Sequence, residues 1–157
     1  MQHNWIFQLK DQITKTQREQ MLKDLVVLMR EWKAHGAPVP GEAEIHYDRF
    51  IVVKAIPGNT TGCSIDSMNH GVDQILTKNG AELLPNNYVF FRNEEGALDY
   101  IDFREIKPAI QAGDMGPETT IYDNTMGQEN DLNRWEVRLV DSWLSRFLPK
   151  ATKASLN

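Results

Sequence analysis

The chain contains a single cysteine among 157 residues, so it cannot close an internal disulfide, and a reducing, cytoplasmic setting is the expectation. Long apolar runs are also missing. The longest block, residues 25–29, is far below the roughly 20 residues a membrane-spanning helix requires, so no membrane association is expected. Residues 1–10 lack the basic start and apolar centre of a secretory signal. Basic residues are outnumbered, 17 Lys and Arg against 22 Asp and Glu, for a net charge of −5. With no Lys/Arg run interleaved with aromatics, such a surface repels a phosphate backbone, and nucleic acid is not an expected partner. No internal repeat or low-complexity tract is present. What is there, 41% hydrophobic and 25% charged residues, is the composition of an ordinary folded protein, and the length suits one domain.

Hydrophobic spacing supplies the elements. Leu22, Leu25, Val26, Met29 and Trp32 recur at three- and four-residue intervals, which predicts an amphipathic helix over about 16–35. Thr16 and Glu19 have capping-box spacing, and Gly36 with Pro38 and Pro40 ends the helix. Residues 44–55 alternate and then become continuously apolar, as in a central strand covered on both faces. Ile65, Met68, Val72, Ile75 and Leu76 predict a second helix, ended by Gly80. Residues 88–92 and 98–103 flank the turn-forming stretch 93–96 and predict a hairpin. A short helix over about 104–112, containing Pro108, and a strand over 119–122 follow. Leu132, Trp135, Leu139, Trp143 and Phe147 predict a C-terminal helix capped by Asn130 or Asp131. The sum is an α+β domain: a mixed sheet of about four strands with helices packed on it, including one right-handed strand-helix-strand crossover.

The stretch IPGNTTGCSID, residues 56–66, holds the chemistry worth weighing. Strand, glycine loop and helix is the context of a phosphate loop. The required parts are absent, however, because Gly58 and Gly62 are one residue too close and Cys63 stands where the lysine belongs. A thiol at a helix N-terminus can be activated by the dipole and the free amides. If the helix begins at Cys63, then Cys63, Asp66 and His70 share its polar face. Cys63 and His70 would lie two turns apart, roughly 10 Å, too far for direct proton transfer. The plain alternative is that Gly62 permits a tight turn, Cys63 packs as a small apolar residue and Ser64 caps the helix. His35, beside Gly36, would stabilise the negative end of the first helix. His46 and Asp48 would share a strand face, two metal ligands without a third. The tryptophans Trp5, Trp32, Trp135 and Trp143 read as core or groove-lining groups. No cofactor is implied.

Residues 32–36 (WKAHG), 61–66 (TGCSID) and the pair Ser142-Trp143 together resemble a family of small bacterial proteins that carry W-x-A-H-G and G-C-S-I-D elements, a resemblance running end to end. Members are sometimes labelled "ABC transporter ATPase". That label implies a phosphate loop, a signature motif and a domain larger than this whole chain, none of which the sequence contains. The resemblance therefore implies neither an ATPase activity nor a catalytic role for Cys63, Asp66 or His35. Two functions stay open. One is a non-catalytic protein that binds a small-molecule ligand or a partner near Gly62, Cys63 and Ser64. The other is a thiol-dependent enzyme with Cys63 as nucleophile, His35 or His70 as base, and Asp66 or Asp123 orienting it. Substrate and oligomeric state are not legible.

Overall fold

A computed structural model describes residues 2–125 and 132–150. The fold class is α+β. Where length suggests one domain, the contacts cluster into two compact units, one reaching to Leu84 and one starting at Pro85, and each is described by itself.

The first unit is built on a three-stranded sheet in the order β1 (His3–Gln8), β5 (Phe50–Ala55), β4 (Gly41–His46), antiparallel throughout. β1 has no counterpart among the expected elements, although its burial alternates residue by residue as an edge-type strand should. The predicted strand 44–55 is a hairpin instead. Tyr47 and Asp48 both adopt left-handed φ, 56° and 55°, and fold β4 back on β5 with His46 opposite Phe50. β5 is central and covered on both faces, as its composition predicts, with Phe50, Ile51, Val52 and Val53 fully buried. Because β1 and β4 occupy both of its edges, no parallel partner can join it. The expected mixed sheet with a crossover is thereby replaced by three antiparallel sheets among the described residues.

Helix α1 (Lys15–Glu31) is capped two residues earlier than predicted. Thr14, not Thr16, is the N-cap, and Gln17 completes the capping box. The buried stripe is Met21, Leu25 and Met29, while Leu22 and Val26 are exposed. The helix also ends sooner. Trp32 is already extended, and β2 (Lys33–Ala34) and β3 (Ala37–Pro38) form a two-residue hairpin around His35 and Gly36. Both turn residues have left-handed φ, 51° and 77°, which a glycine adopts without strain. His35 is thus a hairpin-turn residue and not the helix-terminal cation of the sequence reading. Helix α2 (Gly62–Lys78) buries Ser64, Met68, Val72, Ile75 and Leu76, so Ser64 takes the first core position where Ile65 was expected. Gly80 closes it as predicted: Ala81 N donates to Leu76 O at 2.9 Å and Gly80 N to Thr77 O at 3.2 Å. Leu25, Met29, Trp32, Ile51, Val53, Met68 and Val72 belong to one core cluster.

The second unit carries a four-stranded antiparallel sheet, β7 (Leu98–Asp102), β6 (Tyr88–Arg92), β8 (Thr120–Tyr122), β9 (Glu136–Arg138). The predicted hairpin is present, and Asn93 Oδ1 accepts the amides of Glu95 and Ala97 across its turn. A short helix, α3 (Ile106–Gln111), holds Pro108 in its first turn, where the missing N–H has no helical partner to lose. The expected C-terminal helix does not form over the described residues. Val137 pairs with Ile121 in β9, and short 3₁₀ turns at Leu132–Arg134, Leu139–Asp141 and Trp143–Phe147 take the rest. Strand pairing and the Ser142 cap, whose Oγ accepts the Leu144 amide, prevail over an i, i+4 spacing that both structures allow. The proposed caps Asn130 and Asp131 lie outside the described residues.

Candidate functional site

The loop 58–66 is organised by a reciprocal cap. Thr61 Oγ1 accepts the Ser64 amide at 3.1 Å, and Ser64 Oγ accepts the Thr61 amide at 2.7 Å. Thr61 is therefore the N-cap, and Ser64, expected to be the cap, lies three residues inside. This places Gly62 and Cys63 at the first two helical positions. Cys63 is exposed, which corrects its reading as a packed small apolar residue, because the inward position belongs to Ser64. Residues 63, 66 and 70 fall on one helix face, and Asp66 and His70 are exposed like Cys63. The structure brings these three to one solvent-facing side of α2. His35 belongs to a separate, exposed turn.

Two of the sequence elements meet in the core. Trp32, 3% exposed, donates its indole N–H to the Ser64 carbonyl at 2.7 Å and meets Trp5 edge-on at 5.8 Å between ring centroids. A Cβ on Gly41 would come within 2.8 Å of two Trp32 ring carbons, so the absence of a side chain there lets β4 close on the indole. W-x-A-H-G and G-C-S-I-D accordingly supply a buried anchor, a hairpin turn and a helix cap.

The His46 and Asp48 pairing does not assemble. Asp48 lies in the hairpin turn and receives both hydrogen bonds from Arg18 Nη1, at 2.8 and 2.9 Å. His46 Nε2 is 2.7 Å from Glu44 Oε2, and Lys54 Nζ donates to Glu44 Oε1 at 2.8 Å. Burial alone would raise the Glu44 carboxyl, but the bonds from Lys54 and His46 outweigh it and hold the group below its ordinary value. Asp123 is buried and accepts from the Thr125 hydroxyl and amide. Among the described residues, no group of three or more His, Cys, Asp or Glu is gathered to hold a metal ion, and no helix is long and apolar enough to cross a membrane.

A groove of about 670 Å³ runs between α1 and the β3–β4 segment, with Val26, Met29, Arg30, Val39 and Glu42 among its lining residues. Its volume is that of an ordinary ligand cleft. A second cavity of about 520 Å³ is lined by Lys107, Ile110, Arg146 and Phe147; a third, of about 440 Å³, joins Phe91 and Met115 to Glu94, Glu95 and Asp114. Cys63, Asp66, His70 and His35 line none of these. Sequence reasoning missed the groove because Val26 reads as core, whereas it is 56% exposed; the one available signal was an apolar block wider than a single helix stripe. No protein-family model, curated protein or solved structure matches this chain.

Proposed function

We propose that the chain is a non-catalytic cytoplasmic binding protein whose ligand or partner occupies the groove between α1 and β3–β4. The observation that carries this reading is the groove itself: an open apolar cleft with exposed Val26 on one wall and charged Arg30 and Glu42 beside it, the mix of apolar lining and few polar groups typical of binding sites. The loop 58–66 supports a site less strongly, since the Ser64 amide and hydroxyl are committed to the cap. A cytoplasmic setting fits the lone free cysteine. The test is a fragment screen on isotope-labelled protein by NMR. Shifts clustered on Val26, Met29, Val39 and Glu42 are expected, and hits confined to residues 58–70 would reject the groove.

A thiol-dependent enzyme is the second reading, favoured by the exposure of Cys63 on a face shared with Asp66 and His70. It requires Cys63 alkylation by iodoacetamide at neutral pH to run well ahead of the unfolded chain. Equal rates would leave only an accessible, unactivated thiol.

A further inference from the structure

Residues 41 to 44 all line the groove, although successive side chains of a strand point to opposite faces. Ala43 and Ile45 face the core that α1 helps to form, so Glu42 and Glu44 point the other way. What four consecutive residues present in common to the groove is the backbone edge of β4.

The hydrogen-bond phase shows which groups that edge offers. Leu9 N donates to Arg49 O at 2.8 Å, and Leu84 N to Gln8 O at 2.8 Å. Both main-chain groups of a strand residue point to the same side, alternating along the chain. The odd-numbered residues of β5 therefore bond to β1 and the even-numbered ones to β4. Through the register Glu42 opposite Lys54, Glu44 opposite Val52 and His46 opposite Phe50, it is Gly41, Ala43 and Ile45 that direct N–H and C=O away from the sheet. At the β1 edge, residues 82–84 meet only the C-terminal end, in a single bridge at Leu9 with Lys10 N donating to Glu82 O at 3.0 Å. Among the described residues, β4 has no strand beyond it, and no bridge of that kind is found along it. Six residues of open edge, some 20 Å at about 3.3 Å each, match one ordinary strand.

We propose that this groove takes an extended segment of a partner protein, added as a strand to β4 and carrying alternating apolar and basic residues. The inference rests on the groove being the binding site and specifies its occupant. Cross-strand neighbours share a face. On one face, the added strand's side chains meet Ala43, Ile45 and exposed Val26, which favours apolar residues. On the other they meet Glu42 and Glu44, which favours cations. Glu44 is already bonded to Lys54 and His46, so Glu42 is the main acidic contact. A net charge of −5 favours encounter with a basic segment.

The test is titration of the labelled protein with a blocked heptapeptide of alternating lysine and valine. Slowed amide exchange at Gly41, Ala43 and Ile45, with Glu42 and Glu44 unchanged, is expected. N-methylating alternate peptide residues removes donors without touching the protein and should weaken binding about tenfold. Ala43→Pro, which deletes an edge-facing N–H and leaves the β4–β5 ladder intact, should do the same. Glu42→Lys should reverse the preference toward a glutamate–valine peptide. No protection of β4 at millimolar peptide, or equal binding of the N-methylated peptide, overturns the proposal. If, in that case, anilinonaphthalene sulfonate still shifts Val26 and Met29, the groove reading survives and the strand inference alone falls; if it does not, both fall. A peptide-free dimer that Ala43→Pro dissociates would assign the edge to a second copy and also overturn the proposal.

Discussion

Replacing Trp32 by alanine tests the joint between the two motif-bearing segments. The indole is 3% exposed. A buried aromatic of this size withdraws about 150–250 Å² from water, about 4–6 kcal/mol at about 25 cal/mol per Å², and measured truncations of buried Phe and Trp cost about 3–5 kcal/mol. The lost hydrogen bond to Ser64 O belongs to the same figure, so a destabilisation of about 4 kcal/mol is expected. In a chain of this length that lowers the melting temperature by about 8–16 °C. Urea unfolding followed by far-UV circular dichroism reads it without depending on the removed fluorophore. Gly41→Ala sharpens the test. Its new Cβ would lie 2.8 Å from Trp32 Cε3 and Cζ3 and 3.2 Å from Met29 Sδ, so the ring must shift, at about 1–3 kcal/mol. In the Trp32→Ala background that space is vacated, and the same substitution should cost close to nothing. Additivity of the two changes to within about 0.5 kcal/mol would refute the packing described here.

Thr61→Ala removes the acceptor of the Ser64 amide and should destabilise by about 1 kcal/mol in the same assay. Glu44 has a folded-state pKa lowered from 4.5, so its contribution is fully present above that value and lost as the pH falls through the lower, folded one. Glu44→Gln should therefore flatten the acid side of the stability curve below about pH 4.5, with little change in slope at neutral pH. Calorimetry with magnesium and ATP should detect no micromolar binding, since the lysine and hydroxyl of a phosphate loop are missing from the required places.

Periodicity carried the elements whose signal is local. α2, its Gly80 terminus, the 88–102 hairpin and the two-faced burial of β5 were legible because each depends on near neighbours in the chain: apolar spacing, a left-handed terminus, a polar turn. That Cys63, Asp66 and His70 share one face opposite the apolar stripe was legible for the same reason, at about 100° per residue, whereas the exposure of Cys63 corrects its reading as a packed residue. Tertiary structure decided the rest. Leu22 and Val26 have the same apolar character as Met21 and Leu25, and only the direction from which the sheet packs on α1 separates the exposed pair from the buried one. Val137 and its neighbours fit a helix or a strand until β8 offers an edge to pair with. Residues 82–84 return to the end of β1 at Leu9, a pairing across more than seventy residues whose loop-closure cost and reward leave no mark on local sequence. Trp32 was legible as buried, but its hydrogen bond to Ser64 was not: it joins residues 32 positions apart, and only the folded core brings donor and acceptor together.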